Sequence, residues 1–328
     1  MNREKYQVFN DFWGGIVRFI EKNAYICPPN RELQMANDGL SILIPSYNNV
    51  CVDQVKDLLK QAQGLGIDYE IVVADDASPD KSSIQANEII NEWPHCRFIV
   101  KETNTGSAAT RNFLAQNSQY QLMLFLDADI HIPNDHFLGN YIKERHEGVV
   151  NGGISICSDD SLQSCLRYIY EKDAEPLHTA ERRQQNKYQE FRSTNFVIDR
   201  ESFQKCPFDE RFTKSGYEDV LFGKHLKQKR IPVTHIDNPV VMRTFENNPD
   251  YIAKMERNLR TLYQFREELR GYSRLLTLDK GIHIPAVKWL IRGWHRVFGP
   301  LERRNLCGPH PSLRLFKLYK IGYFLSLN

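Results

Sequence analysis

Two aspartates spaced one residue apart, Asp127 and Asp129, directly follow an apolar run at residues 122–126. A continuous apolar run of this length is typical of a strand buried on both faces. The two carboxylates would then lie at the carboxyl end of the strand, where open α/β sheets bind ligands. Such a pair needs a positive partner, and a hard divalent cation that is also held by phosphate oxygens is the usual one. The same pattern also fits an ordinary strand followed by an aspartate-rich turn.

Three further strands are predicted, each followed by a polar loop. The strands cover residues 40–45, 69–74 and 97–100, and the loops cover residues 46–49, 75–80 and 104–107. Helical patterns separate these strands, and strand–helix alternation with short loops predicts right-handed βαβ units and a parallel sheet. The carboxyl ends of all four strands must then gather at one edge, which makes that edge the predicted site.

The composition excludes several classes of protein. The 328 residues suit one large α/β domain with an appendage, and a net charge of +2 gives no general reason to bind nucleic acid. Seven scattered cysteines without a C-x-x-C pair favour reduced thiols in the cytoplasm over disulfides or zinc. We find neither a signal-peptide core nor about 18 consecutive apolar residues, and therefore expect no transmembrane helix.

The sequence pattern divides the chain into three parts. Residues 1–38 are predicted to form an amphipathic helical segment, which either packs on the main domain or contacts a membrane or partner by itself. Residues 39–245 form the predicted α/β domain, whose regular alternation covers 39–133 and becomes irregular over 134–245. Residues 246–328 are predicted to be helical and are distinctly basic.

Six motifs, in this order, resemble those of the inverting glycosyltransferases of family 2, which have the GT-A fold. They are SILIPSYN at 41–48, VVADDASPD at 72–80, NTGSAATRN at 104–112, LDAD at 126–129, STNF at 193–196 and GYED at 216–219. Each motif is weak alone, but six in order are specific, and they cover about residues 40–243. The resemblance implies a Rossmann-like, mostly parallel sheet with helices on both faces and a C-terminal helical extension. Residues 39–133 would bind a nucleotide sugar and residues 134–245 the acceptor.

The resemblance assigns the donor site to the first four motifs. It implies that Asp76 accepts a hydrogen bond from the uracil of a UDP-sugar while Asp75 supports the loop. Asp127 would contact the ribose or sugar and share with Asp129 the binding of Mn²⁺ or Mg²⁺. The other implied donor-site residues are Pro45, Ser46 and Tyr47 around the nucleotide, Gly106 and Arg111 at the diphosphate, and Ala128 between the carboxylates. Two alternatives stay open, namely that Asp75 and Asp76 only cap a turn and that Arg111 lies on a helix surface.

The last two motifs are assigned to the acceptor side. Asp219 is the predicted general base that takes the proton of the acceptor hydroxyl, with Glu218 as the alternative. Attack opposite the leaving group would invert the anomeric centre. Both carboxylates could instead only stabilise a helix N-terminus. Asn195, Phe196 and Tyr217 are expected to line the acceptor or sugar pocket.

The chain departs from the family pattern at two positions. Ala77 stands where the family usually has glycine. Many members also carry a metal-binding histidine on a strand after the E-D motif, but here that position is Met242, and a thioether is a poor ligand for a hard cation. His235 could substitute, water could complete the coordination sphere, or metal binding could be weaker.

The basic C-terminal part has two interpretations. Trp289, Leu290 and Trp294 lie among basic residues such as Lys288 and Arg292, and this mixture is typical of a helix in a membrane interface. Such a peripheral contact on the cytosolic face would suit an enzyme that extends a lipid-linked glycan. The helices could equally pack on the main domain and expose a solvated basic face.

The sequence thus predicts an inverting, metal-dependent transferase that moves a hexose from a nucleotide sugar, with a UDP-sugar favoured, to a glycan or lipid-linked oligosaccharide. We expect a cytoplasmic enzyme of cell-envelope polysaccharide biosynthesis. One alternative is a nucleotidyltransferase, against which the missing Gly-rich, Lys-containing loop argues. The other is a binding protein that has lost activity, which Met242 motivates.

Overall fold

The computed structural model describes residues 39–214 and 216–327. The amphipathic helix predicted for residues 1–38 lies outside the described residues. Within them, strands and helices alternate at first, and residues 248–327 contain helices only.

The strands of the described residues are numbered in chain order. They are β1 (Leu40–Ser46), β2 (Tyr69–Asp75), β3 (Cys96–Val100), β4 (Leu122–Leu126), β5 (Ile130–His131), β6 (Val149–Asn151), β7 (Ile154–Ile156), β8 (Asn195–Asp199), β9 (Val233–His235) and β10 (Val240–Met242). The four strands predicted from buried apolar runs correspond to β1–β4, with ends that differ by at most one residue. Their continuous apolar character reflects burial on both faces of the sheet.

The α-helices of the described residues are numbered in the same way. They are α1 (Val52–Gln63), α2 (Lys81–Asn87), α3 (Ser107–Gln116), α4 (Phe137–Glu144), α5 (Leu166–Ala174), α6 (Ala180–Gln185), α7 (Arg200–Lys205), α8 (Glu218–Gln228), α9 (Asn248–Gln264), α10 (Arg274–Gly281), α11 (Pro285–Leu306) and α12 (Leu313–Ser326). Their starts follow local chemistry. Asp80 caps α2, Asp199 caps α7 and Asn247 caps α9, because each side chain accepts a backbone N–H of the first turn.

A seven-stranded sheet with the order β3-β2-β1-β4-β8-β6-β9 organises the described chain. The first four strands along the chain are parallel to one another, and β8 runs antiparallel to both of its neighbours. A second sheet contains three short strands in the order β5-β10-β7. The sheet is therefore mostly parallel, as predicted.

A single strand predicted over residues 149–156 is wrong, because the chain divides there between the two sheets. β6 pairs with β8 and β9, whereas β7 pairs with β10. The break occurs at Gly152 and Gly153. Gly153 has a φ of 89°, which disfavours other residues. A Cβ on Gly152 would lie 2.3 Å from the hydroxyl oxygen of Tyr141.

The register brings the carboxyl ends of the parallel strands to one edge. Ser46 at the end of β1 pairs with Asp75 at the end of β2, and Asp75 pairs with Val100 at the end of β3. On the other side of β1, Leu43 pairs with Phe125 of β4. The polar loops and the two aspartates after β4 therefore meet at the predicted edge.

Two apolar layers cover the two faces of the large sheet. One layer contains Leu43 and Val72 of the sheet together with Leu114 of α3, Phe222 of α8 and Phe316 of α12. The other contains Ile42, Ile71 and Leu124 of the sheet with Leu58 of α1 and Tyr141 of α4. Helices thus lie on both faces, and the C-terminal helices α9 and α12 contribute to the same core as the sheet.

Two further expectations concern chemistry outside the site. In the described part of the chain, no helix is both long enough and apolar enough to cross a membrane. The six described cysteines are free thiols. Burial raises the pKa of the Cys51 thiol to about 11, which keeps it protonated and unreactive at neutral pH.

Candidate active site

Asp75 ends β2 and holds the loop that follows it. The buried carboxylate accepts hydrogen bonds from the backbone N–H of Ser78, at 2.8 Å, and from the Ser78 hydroxyl. Ser78 Oγ in turn accepts the backbone N–H of Asn48 at 2.8 Å. Asp75 therefore performs the loop-supporting role that was predicted, and it joins the loops after β1 and β2.

Asp76 anchors the next loop along the edge. Its carboxylate accepts hydrogen bonds from Lys101 Nζ at 2.6 Å, from the N–H of Thr105 at 3.0 Å and from the N–H of Gly106 at 2.8 Å. Burial opposes the charge, but these hydrogen bonds outweigh it and lower the pKa of Asp76. Asp76 is therefore ionised and fixes residues 104–106. Its contact with a base stays a prediction.

The end of β1 lies beside this loop. Ser46 is buried, and its carbonyl accepts the N–H of Asp76 at 2.9 Å. Tyr47 is 47% exposed, and Pro45 lies between these extremes. The ring of Tyr47 is thus the most accessible of the three side chains for stacking on a nucleotide base. Ala128, after β4, packs partly buried against the core beneath the edge.

Gly106 precedes α3 in a conformation that favours glycine. Its φ is 91°, and a Cβ at this position would lie 2.7 Å from the carbonyl oxygen of Thr213. The missing side chain therefore lets the backbone approach Thr213, while the approach of a diphosphate stays a prediction. The prediction that Ser107 caps α3 is wrong, because its hydroxyl donates instead to Glu218 Oε1 at 2.8 Å.

Arg111 links the two aspartates after β4 to the E-D motif. Its Nη2 donates to Asp127 Oδ1 at 2.6 Å, and its Nη1 lies 3.8 Å from Glu218 Oε1. Only 3% of Arg111 is exposed, so the alternative of a surface arginine is wrong. Among the described residues, Nε and Nη1 have no hydrogen-bond partner. A buried guanidinium with two unused donors is suited to an additional anionic ligand.

Asp129 differs from Asp127 in its surroundings. The backbone oxygen of Asp127 is fixed by Gln54 Nε2 at 2.9 Å, and its carboxylate is paired with Arg111. Burial, and then the negative charge of Asp127, raises the pKa of Asp129. Arg167 and Lys254 oppose this shift. The carboxylate pair therefore fits a divalent cation, because a cation would relieve both the burial of charge and the repulsion.

The third metal ligand is not among the candidates from the sequence. Met242 pairs with Ile130, and so lies beside the strand that follows the aspartates. The hypothesis that His235 substitutes is wrong, because its Nδ1 meets Arg183 and its Nε2 meets the Lys187 carbonyl, each at 2.8 Å. Within residues 39–214 and 216–327, no three His, Cys, Asp or Glu side chains cluster as a metal site. Water remains as the completing ligand.

Glu218 at the start of α8 is occupied by contacts inside the protein. Its Oε1 accepts the Ser107 hydroxyl and its Oε2 accepts the backbone N–H of Gly216, both at 2.8 Å. These bonds shape the turn that leads into α8 and connect it to the start of α3. Glu218 is therefore better suited to position the turn than to exchange protons.

Asp219 is the carboxylate of this motif that is available for chemistry. Its Oδ1 accepts only the N–H of Val220, at 2.7 Å. Burial raises the pKa of Asp219 to about 6; the charge of Arg192 opposes this shift and that of Glu218 adds to it. A carboxylate with such a pKa is ionised at neutral pH and still basic enough to accept a proton.

Asn195 does not line a pocket, contrary to the sequence prediction. Its Nδ2 donates to the carbonyls of Gly153 and Asn238, each at 2.9 Å, and its Oδ1 accepts the Tyr141 hydroxyl at 2.6 Å. All of its hydrogen-bonding capacity towards these groups is used in joining β8 to the break after β6. Asn195 is a structural residue in this position.

Phe196 is a core residue, so its predicted place in the pocket is also wrong. It pairs with Phe125 across β8 and β4, and the two rings stack with their centroids 5.0 Å apart. Side chains alternate along a strand, which directs Phe196 into the apolar layer with Phe222. Tyr217, by contrast, has a φ of 71° immediately before α8, and its ring packs against that layer.

Several charged residues near the site were missed by the sequence reasoning. Lys101 follows β3 at the same edge, so its position offered a signal. Arg192 stands next to the STNF motif and acts on Asp219. Glu246 pairs with Arg167 and with Lys254, which lie on α5 and α9. No local pattern connects these three residues to Asp129, and only the fold brings them near it.

The geometry defines a glycosyltransferase of the α/β type, with donor carboxylates and a basic carboxylate at one sheet edge. The family model described as glycosyl transferase family 2 matches residues 41–207, about half of the chain. The chain therefore belongs to glycosyl transferase family 2, and the predicted GT-A fold with C-terminal helices is confirmed.

Three comparisons illustrate the relationship. An uncharacterised glycosyltransferase of Haemophilus influenzae is 27% identical over 56% of this chain and 69% of its own length. A poly-beta-1,6-N-acetyl-D-glucosamine synthase of Staphylococcus epidermidis is 27% identical over 50% of this chain and 41% of its own. The structure of a mannosyltransferase of Pyrobaculum calidifontis, in complex with GDP-Man and Mn²⁺, has 13% identity over 98% of this chain and 95% of that chain, with a TM-score of 0.48.

Proposed function

We propose that this protein is an inverting, metal-dependent hexosyltransferase that uses a nucleotide sugar, favourably a UDP-sugar, and glycosylates a hydroxyl of a glycan or lipid-linked glycan. The observation that carries the proposal is the position of Arg111 between Asp127 of the donor edge and Glu218 of the E-D turn. This arrangement supports a site in which donor and base act on the same anomeric carbon.

Asp219 is the general base in this proposal. One of its oxygens is held by the N–H of Val220, and the other is left to take the proton from the acceptor hydroxyl. The hydroxyl oxygen attacks the anomeric carbon as the nucleoside diphosphate leaves from the opposite face, so the configuration inverts. A positioned base of this kind contributes roughly 10²–10⁴-fold to the rate.

The leaving group requires positive charge on the donor side. Asp129, together with Asp127, would hold Mn²⁺ or Mg²⁺, and the ion supplies charge that stabilises the departing diphosphate. The two unused donors of Arg111 face the same need from within the protein, because a diphosphate accepts charge-assisted hydrogen bonds. Tyr47 and the loop held by Asp75 and Asp76 would bind the base.

The acceptor class is inferred from the relatives. A synthase of a poly-N-acetylglucosamine is among the similar proteins, although the alignment covers 41% of that synthase. This supports a cytoplasmic step of cell-envelope polysaccharide biosynthesis, with a growing glycan as the acceptor.

The proposal is tested by incubating the full chain with a panel of UDP- and GDP-sugars in the presence of Mn²⁺. We expect one sugar to release its nucleoside diphosphate, and chelation of the metal to stop the release. Absence of release from every sugar, combined with tight nucleotide binding, would favour the binding protein. Release of pyrophosphate from a nucleoside triphosphate and a sugar phosphate would instead favour the nucleotidyltransferase.

A further inference from the structure

The long helix α11 carries an apolar face that is not covered by the described residues. Apolar side chains recur on it every three or four positions, as on one side of a helix. They are Val287, Leu290, Trp294, Val297, Phe298 and Leu301. Leu290, Val297 and Leu301 are each more than 60% exposed, which is unusual for such a continuous stripe.

The other side of α11 accounts for its attachment to the protein. Gly299, Glu302 and Leu306 are buried on that side, and Arg292 Nε donates to the carbonyl of Leu325 in α12 at 2.9 Å. The packing alternative from the sequence is thus correct for α12, which buries Phe316 in the core. For α11 it accounts for one face only.

Positive charge surrounds the apolar face. From residue 281 to the end, eight lysines and arginines accompany a single acid, Glu302. That acid is buried and accepts the indole N–H of Trp294 at 2.8 Å, so it does not offset the surface charge. Arg296, Arg304 and Arg314 are exposed and form no ion pair with the described residues.

We propose that α11 docks the protein on an anionic lipid surface, with its axis in the plane of the membrane and the apolar face inserted among the headgroups. Exposed tryptophan beside apolar and basic residues is the composition of such interfacial helices. Each arginine near an anionic surface contributes about 1 kcal/mol of attraction. This inference does not depend on the transfer reaction.

Charge also favours a lipid surface over a second copy of the chain. A symmetric pair of α11 helices would bring the same arginines of both copies together. Their repulsion would oppose association, whereas anionic headgroups neutralise them.

The test is sedimentation of the full chain with phosphatidylcholine vesicles, with and without phosphatidylglycerol. We expect binding to the anionic vesicles that weakens with salt. The variant L290S/V297S/L301S should lower the partition coefficient by roughly tenfold or more, since three apolar side chains lose their burial. Its matched control is L177S/I89S, which removes exposed apolar side chains elsewhere and should bind like the wild type.

A second pair of variants tests the charges. R296Q/R304Q should reduce binding to anionic vesicles and its salt dependence, whereas R145Q/R230Q, at exposed positions outside α11, should not. Equal binding of the L290S/V297S/L301S variant and the wild type would overturn the proposal, as would failure of the wild type to bind anionic vesicles.

The other occupants of the face give distinct results without lipid. Dimers of the wild type that become monomers in the L290S/V297S/L301S variant, measured by sedimentation equilibrium, would assign the face to a second copy. Slow hydrogen exchange across residues 287–301 of a monomer, unchanged by vesicles, would assign it to the chain itself, with residues 1–38 as the candidate. Either result would overturn docking on lipid.

Discussion

The guanidinium of Arg111 donates a 2.6 Å hydrogen bond to the carboxylate of Asp127 from a side chain that is 4% exposed. Asp127 follows β4 and Arg111 lies in α3, so this contact joins the donor aspartates to the neighbouring helix. The same guanidinium faces Glu218, which shapes the turn before the proposed base. A single buried charge thus lies between the two halves of the proposed reaction.

Replacing Arg111 should therefore affect both stability and donor use. Arg111→Met leaves Asp127 and Glu218 without their cation and should lower the free energy of unfolding by about 3 kcal/mol. Arg111→Lys keeps the charge but loses the planar fork, so it should be milder in stability while raising KM for the donor. Urea denaturation and donor kinetics measure the two effects.

The matched control for Arg111→Met is Lys205→Met. Lys205 forms an exposed ion pair with Glu201 within one helix, and such pairs contribute little. The importance of the buried pair would be contradicted if both substitutions had the same small effect on unfolding.

The pH dependence of the reaction should report Asp219. Because its pKa is raised to about 6, the base is protonated and inactive at lower pH. We expect kcat/KM to rise as the pH increases through about 6 and then to level off. Glu218→Gln removes a negative charge that raises this pKa, so it should move the rise to lower pH. A profile that is flat through this range, or that does not move in the variant, would argue against Asp219.

Ala77 should limit the stability of the protein. Its φ is 56°, a left-handed conformation that is unfavourable for a residue with a Cβ. Ala77→Gly relieves this strain and should raise the free energy of unfolding by about 1 kcal/mol, after allowance for the greater freedom of glycine in the unfolded chain. Chemical denaturation measures the change. A loss of stability would show that the conformation in solution differs.

Asn195 should matter for folding and not for substrate recognition. Asn195→Ala leaves the Tyr141 hydroxyl and the carbonyls of Gly153 and Asn238 without their partner, at a cost of about 3 kcal/mol in unfolding free energy. Thermal unfolding should reveal this loss, while KM for donor and acceptor stays unchanged in the folded fraction. A higher KM without a loss of stability would return Asn195 to the acceptor pocket.

The sequence was sufficient where one local signal decided the structure. Buried apolar runs predicted β1–β4, and the rule for strand ends brought Asp76 and Asp127 to one edge. It was insufficient where side-chain direction depended on pairing. The strand at 195–199 was recognised, but its antiparallel register with β4 directs Phe196 into the core. Similarly, the partners of His235 come from residues 183 and 187, which no pattern near the histidine indicates.

The most direct test of the proposed mechanism compares Asp219→Asn with Glu218→Gln and the wild type, using the donor identified in the sugar panel. Nucleotide binding and product formation are measured on the same preparations. We predict that Asp219→Asn binds the nucleotide like the wild type but loses transfer by roughly 10²–10⁴-fold, with a smaller loss for Glu218→Gln. Transfer at the wild-type rate by Asp219→Asn would contradict the account.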